Sequence, residues 1–515
     1  MCFKYNDFAK KYYFLKIFFV ELPPQPKRSV MTKQKLHNLF FISQPTETKA
    51  LPATLPYSVK GKILVAGLKF LYSILGKFNP HWHSPLPDFE ENPAYFSLKD
   101  VLYLGYKYYQ KPPYLYPENL IEHFHKQNFE FYFPKGFEIK NKITISAAGD
   151  LMPYEWIQKP YTKHLWDEVG SYFFNADIVF ANLETPIATS RPANLVPEVM
   201  LTDMLFNANE EMFEIFSGNG KFKGYDVLST ANNHSYDMGK QGIFETINFL
   251  EKQKVAFTGT ARSPEERENF PIIERNGIRI AFIAYTYSLN KFHLPKNETY
   301  LVNHERLNTP TPDLTQIRDD VRRAYQRKAD IVVLSLHTGN AYQPYPSEHT
   351  VAVYHQIFET CGVDIILGSH PHNPQPMEKY SFVCPITKKP KQGFAIYSLA
   401  DFVAYDIFVW DRLVPLLKIE IVKGNFEDGN PHTQISRVEV LPVYNWGTKN
   451  TRKGKEIRFL PLEQVVAQIK HEQTPQFMSK LCQQEALYLH HFWQEVFGAY
   501  CIYKKTEKRI ANNKT

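Results

Sequence analysis

A chain of 515 residues with 43% hydrophobic and 22% charged residues has a globular composition and room for two or more domains. Its net charge of +7 arises from 60 basic and 53 acidic residues, with no basic stripe and no stacking platform, so nucleic acid is not an expected partner. Five scattered cysteines, odd in number and without a C-x-x-C pair, argue against a disulfide scaffold or a thiolate zinc site and fit a reducing compartment.

Residues 1–140 read as an N-terminal extension with no chemistry of its own. Runs such as Leu22-Pro23-Pro24-Gln25-Pro26 and Lys111-Pro112-Pro113 favour irregular backbone, and Met31 is a second candidate start. The apolar stretch Tyr12 to Leu22 is short, is interrupted by Lys16 and Glu21, and lacks a small-residue cleavage site; it predicts neither a membrane span nor a signal peptide. Ile63 to Phe78 reads first as an ordinary core-facing helix. The alternative is an interfacial amphipathic helix, because its lysines fall on one helical face, which would give peripheral membrane contact. A cytoplasmic or membrane-peripheral location is expected. His81, His83, His123 and His125 lack a matching carboxylate pattern and read as surface residues.

From Lys142 apolar runs alternate with helical patterns, the signature of an α/β domain placed at 141–406. Strands are expected at Ile143 to Ala148, Ile178 to Ala181, Val227 to Thr230, Arg279 to Tyr285, Ile331 to Leu336, Asp364 to Leu367 and Phe394 to Ser398. Helical spacing marks a segment from Gly239 with Ile243, Ile247 and Leu250, another over Asp313 to Arg327, and a third over Glu348 to Cys361. Residues 407–460 carry the strands Leu413 to Val422 and Val438 to Val443, which would complete the sheet. Residues 461–515 read as a helical segment over Leu462 to Tyr503 and a frayed basic tail.

Polar residues fall at one strand exit after another. The exits are Gly149-Asp150, Asn182-Leu183-Glu184, Asn232-Asn233-His234, His337, Gly368-Ser369-His370-Pro371-His372 and Leu399-Ala400-Asp401. Taken singly, Asn232-Asn233 is an ordinary turn and His-Pro-His a solvent loop. Six successive exits are harder to read that way, because the C-terminal ends of buried strands are where open α/β sheets hold ligands. A mixed carboxylate, amide and imidazole set suits Mn²⁺, Fe²⁺ or Zn²⁺, ions that activate water and hold phosphoryl or acyl oxygens. Gly149 and Gly368 would let backbone approach such ions closely.

Together GDLM at 149–152, ANLETPI at 181–187, ANNHSYDMG at 231–239, His337 with Gly339, GSHPHNPQ at 368–375 and YSLADF at 397–402 resemble the capsule-synthesis CapA family. This is the poly-γ-glutamate biosynthesis branch of the calcineurin-like metallophosphoesterases, and the resemblance covers roughly Lys142 to Asp406. It implies a four-layer αββα sandwich with a dinuclear site between the sheets. On that likeness Asp150 and His372 would ligate one ion, Glu184 would bridge, His337 and His370 would bind the second, and Asn233 would supply the amide ligand. His234 would act, with Asp150, in catalysis, and Asn182 and Asp401 are additional candidates. Two departures stand out: Met152 stands where classical metallophosphoesterases have a histidine, which resembles the CapA branch and would leave one ion poorer in ligands, and Ala400-Asp401 stands where the branch usually has Gly-Asn. Thr338-Gly339-Asn340 also departs from the aromatic and acidic residues usual after the histidine corresponding to His337.

Three readings follow. The first is a metal-dependent hydrolase of phosphoester or amide bonds. The second is a protein that builds, transfers or releases an anionic polymer such as poly-γ-glutamate. The third is a non-catalytic metal- or polymer-binding protein on the same fold.

Overall fold

The computed structural model describes residues 59–83, 97–110, 116–404, 409–427, 429–450, 454–501 and 504. The stretch Tyr12 to Leu22, both proline runs, Met31 and all of the basic tail beyond Lys504 lie outside them.

In chain order the first strands are β1 (Glu138–Leu151), β2 (Ile178–Leu183), β3 (Val227–Ser229), β4 (Ala256–Thr258) and β5 (Ile272–Arg275). There follow β6 (Ile278–Thr286), β7 (Ile331–His337), β8 (Ile365–Ser369), β9 (Pro374–Val383) and β10 (Pro390–Leu399). The last are β11 (Asp401–Val403), β12 (Leu413–Asn425), β13 (Pro431–Asn450) and β14 (Gly454–Pro461). Among the described residues they make two sheets. One has the order β14-β13-β12-β1-β2-β3-β4 with β11 beside β1; the other runs β5-β6-β7-β8-β10-β9. Strands β1 to β4 are mutually parallel, as are β6, β7, β8 and β10.

Side-chain alternation explains the layering. In β2, Ile178 and Phe180 face the second sheet, whereas Val179, Ala181 and Leu183 belong to the apolar cluster on the opposite side. Phe180 stacks on Phe282 of β6 with ring centroids 6.0 Å apart and planes within 11°, so the two sheets meet through their aromatic faces. Burying such a ring contributes about 2–3 kcal/mol. The outer face of the first sheet carries the helices Gly170–Phe174, Glu210–Phe216 and Gly239–Lys252 through Phe173, Phe213 and Leu250. The second sheet is backed by Thr315–Gln326 and Glu348–Cys361, which bury Ile317, Val321, Tyr354 and Ile357. The result is the helix–sheet–sheet–helix sandwich expected from the sequence.

Helix ends follow local chemistry. Ser347 Oγ accepts the Thr350 amide at 3.1 Å to open Glu348–Cys361, and Gly362, with φ +83°, closes it. The expected long C-terminal helix is two, Leu462–Lys470 and Lys480–Val496. Pro475 lies in the break and Ser479 caps the second helix, its Oγ accepting the Cys482 amide at 3.2 Å. Cys482, Leu489 and Trp493 are buried in the large apolar cluster that also holds Ile178 and Phe180 of β2. This segment is therefore part of the sandwich's hydrophobic core.

The helix Val59–Phe78 is not core-facing. Tyr72 packs with Trp82, Tyr103 and Tyr106 in a small cluster of its own, shared with the helix Leu98–Gln110. Ile63, Phe70 and Phe78 are 69%, 69% and 79% exposed. No helix among the described residues is long and apolar enough to cross a membrane. The helix Glu118–His125, by contrast, buries Leu120, Ile121 and Phe124 in the main core.

Candidate metal centre

The site is assembled by strand register. Asp150, near the end of β1, lies opposite Asn182 of β2 and Asp401 of β11; His337, the last residue of β7, lies opposite Ser369 of β8. Both sheets thus deliver polar side chains to one rim, where their central parallel strands end.

Three donors converge most tightly. One ligand atom each from Asp150, Glu184 and His372 lies within 4.8 Å of the others. Asp150 is fully buried; Asn182 Nδ2 donates to its Oδ1 at 2.7 Å, and the His370 amide reaches its Oδ2 at 3.5 Å. Burial, and then the neighbouring Glu184 charge, push the Asp150 carboxyl up from 3.8 to about 7. Glu184 is also fully buried, and neither of its carboxylate oxygens accepts a hydrogen bond. Its nearest cationic candidate is His337 Nε2, 3.4 Å from Oε1. A buried carboxylate without a donor is costly unless a cation meets it.

The second group surrounds His337. Its Nε2 stands 2.9 Å from Asn233 Oδ1 and its Nδ1 2.9 Å from Ser369 Oγ. Burial pushes this imidazole down to about 3, so it is neutral and keeps a lone pair, as a metal ligand must. The His370 ring lies 5.1 Å from that of His337 and 6.0 Å from that of His372, centroid to centroid. His370 and His372 both adopt positive φ, +98° and +63°, a conformation disfavoured for histidine. The Pro371 turn thus presents two imidazoles from a strained backbone, which is common at functional sites.

The other expected residues act around these donors. Asp401 Oδ1 lies 2.9 Å from His372 Nδ1, the carboxylate-behind-histidine arrangement that orients metal ligands. Asn182 places its amide nitrogen toward Asp150 and, at 3.3 Å, toward His337 Nδ1; it orients the carboxylate. His234 is bonded to Asp237 rather than to the donors of the cluster. Its Nδ1 is held by Asp237 Oδ2 at 2.6 Å, and its ring stacks on Phe206 at 3.7 Å with planes within 6°. The Phe206 amide in turn donates to Asp237 Oδ2 at 2.6 Å.

Several features differ from expectation. Gly149 and Gly368 are required by neighbouring strands: a Cβ would fall 1.7 Å from the Ala400 carbonyl oxygen and 2.2 Å from that of Tyr397. Met152 is buried with Tyr154 and Trp156 in the helix-side apolar cluster. The Thr338-Gly339-Asn340 turn is bound to Asn308, which accepts from Thr338 Oγ1 at 2.7 Å and donates to the Gly339 carbonyl at 2.9 Å. Sequence reasoning did not single out Asp237, Phe206 or Tyr287, whose hydroxyl lies 3.1 Å from His370 Nε2. Asp237 alone left a signal, three residues after His234. Nor are His123 and His125 simply surface residues: their Nε2 atoms meet Glu378 Oε1 at 2.9 Å and the Glu495 carbonyl at 2.7 Å.

The rim thus gathers carboxylate, amide and imidazole donors on a two-sheet α/β sandwich, a donor set of the kind that suits divalent cations. The chain belongs to the bacterial capsule synthesis protein PGA_cap family, whose model matches residues 144–406. It is 26% identical over 345 residues to the capsule biosynthesis protein CapA of Bacillus anthracis, covering 64% of this chain and 78% of that one. It is also 26% identical over 294 residues to the PGA biosynthesis protein CapA of Bacillus subtilis (strain 168), covering 55% and 70%. Among solved structures, the calcineurin-like phosphoesterase YfkN from Bacillus subtilis aligns at 13% identity and a TM-score of 0.33, over 68% of this chain and 99% of that one.

Proposed function

We propose that this chain is a metal-dependent hydrolase of phosphoester or amide bonds that works in the making of capsule or poly-γ-glutamate-type polymer. The observation that carries the reading is Glu184, a fully buried carboxylate with no hydrogen-bond donor, set among Asp150, His337 and His372. The polymer assignment leans on the names of the Bacillus relatives.

Asp150, Glu184 and His372 would hold one divalent ion, and Glu184, Asn233, His337 and His370 a second. Mn²⁺, Fe²⁺ or Zn²⁺ in that set supplies Lewis acidity toward a phosphoryl or acyl oxygen and an activated water. The protein's own groups do the rest. Asp401 fixes the His372 ring with Nδ1 as the donor, which leaves Nε2 for ligation. Asp237 fixes His234 in the same way, which leaves its Nε2 to carry a proton to an oxygen that gains negative charge. Phe206 covers one face of that ring and limits its motion.

The test is metal content and hydrolysis for wild type beside Asp150→Ala/His372→Ala, with phosphoester and γ-glutamyl panels. About two equivalents of metal at the rim centre and turnover, both lost in the variant, are expected. Full metal and activity in the variant would sink the proposal. A second reading, a non-catalytic binding protein, is favoured by Met152, which leaves the Asp150 ion a ligand short. Normal metal content without turnover on either panel would select it. We place any membrane contact on the exposed apolar side of the helix Val59–Phe78, which also exposes Lys60, Lys69 and Lys77. Sedimentation with anionic vesicles should disappear when residues 1–80 are deleted; binding that survives the deletion would move the contact elsewhere.

A further inference from the structure

Away from the rim, a second set of metal-type donors comes together from three separate elements. His123 comes from the helix Glu118–His125, His355 from Glu348–Cys361 and Glu378 from β9. One ligand atom from each lies within 4.8 Å of the others. His123 Nε2 and His355 Nε2 both stand 2.9 Å from Glu378 Oε1, and His355 Nε2 is 3.0 Å from Oε2. We propose that His123, His355 and Glu378 form a second binding site for a borderline divalent cation of the Zn²⁺ type, separate from the rim centre, which staples the segment before β1 onto the second sheet.

Four observations support this. Two imidazoles and one carboxylate are the donor set that holds zinc with a coordination position left for water. Glu378 is 1% exposed, and among the described residues its hydrogen-bond partners are two imidazoles and a phenol rather than a lysine or arginine, so a buried carboxylate stands ready for a cation. The His123 and His355 side chains are 37% and 25% exposed, so the cluster opens to solvent on the histidine side, where an ion could enter. Finally, the outer contacts that keep ligands oriented are present. Tyr397 donates to Glu378 Oε2 at 2.6 Å, and His355 stacks on Tyr380 at 4.1 Å with planes within 18°.

The position gives the staple a purpose. The helix that carries His123 precedes β1, and β9 begins directly after the His370-Pro371-His372 turn. An ion here would lock the N-terminal helix to the strand that leaves the rim centre.

The experiment uses the full chain with Asp150→Ala and His372→Ala, which removes two of the three tightest rim donors. The chelator-treated protein is titrated with Co²⁺ while visible absorption and melting temperature are followed. The proposal expects saturable uptake of about one equivalent, displaced by Zn²⁺, with a rise in melting temperature. Adding His355→Gln should abolish the uptake, and His123→Gln should weaken it by at least roughly tenfold. No saturable uptake, or uptake unchanged by His355→Gln, would overturn the site and leave a plain histidine–glutamate ion pair. Should the multiple variant fail to fold, His355→Gln in the wild-type chain decides: total bound zinc should fall by about one equivalent. An unchanged total would refute the proposal.

Discussion

Replacing Glu184 with glutamine removes one of two carboxylates buried side by side at the sheet rims while keeping the side chain's volume. In the metal-free protein the Asp150 carboxyl is raised from 3.8 to about 7, by burial first and by the Glu184 charge second. A displacement of that size is worth about 4 kcal/mol, of which the Glu184 charge supplies the smaller part. The sign follows from linkage. Asp150 has a folded pKa above its unfolded value, so the stability tied to its proton is intact at low pH and is lost as pH rises through about 7. At pH 8 Glu184→Gln should therefore melt higher than wild type, by roughly 1–3 °C in a chain of this size. At pH 5, where Asp150 keeps its proton, that advantage should shrink. The buried amide left at position 184 has its own desolvation cost, but it does not titrate, so the difference between the two pH values isolates the charge term. Saturating Mn²⁺ or Zn²⁺ should reverse the order, because a ligand at 100 times its Kd adds about 3 kcal/mol to wild type alone. Calorimetry with and without chelator reads all four conditions. A metal-free variant whose melting temperature relative to wild type is the same at pH 5 and pH 8 would refute the reasoning.

Two further substitutions separate ligands from their supports. Asp401→Asn keeps the contact to His372 Nδ1 but removes its charge, and should weaken metal affinity about 10–100-fold in competition with a chromophoric chelator; unchanged affinity would mean that Asp401 does not act through His372. Asp237→Asn should cost roughly 1.5–3 kcal/mol at His234, lowering kcat on whichever panel substrate is turned over by about 10–100-fold and shifting its pH profile, with metal content unchanged. Loss of metal in step with activity would place Asp237 among the supports of the metal centre instead.

What the sequence made legible and what it did not divide along the range of the interactions. The central strands and their polar exits were readable because a buried strand is a local apolar run and a donor such as Asp150 or His337 directly ends it. Strand β9 was not, because Pro374 and Pro376 mark a non-strand; the sheet tolerates them because β9 is an edge, paired on one side only to β10. The helix Val59–Phe78 has the periodicity of a buried helix, and periodicity cannot say whether a partner arrives to cover it. Gly149 was linked to metal approach, whereas the constraint is Ala400 passing 1.7 Å from where its Cβ would stand. That proximity depends on how β11 returns to β1. The same limit hid His123 and Glu378, 255 positions apart, each ordinary until the fold joins them.

Asp401 also bears on how many ions the rim centre needs. Asp150, Glu184 and Asp401 are three fully buried carboxylates, and the imidazole at their centre, His337, is neutral because burial holds it near 3. On the proposed function, one divalent ion leaves that set with a net negative charge, which would repel a phosphoryl group or a γ-carboxylate polymer. Two ions leave it net positive by one charge, enough to attract such a substrate. An asparagine at position 401 would let a single ion bring the centre to neutrality, so the aspartate makes the second ion a condition for holding an anion. On the same proposal Met152 acts in the opposite direction, since its side chain is buried in the helix-side apolar cluster and would give the Asp150 ion no nitrogen or oxygen ligand. The two departures are therefore coupled: the negative charge placed behind His372 strengthens that imidazole as a donor on the side where Met152 weakens the ligand set.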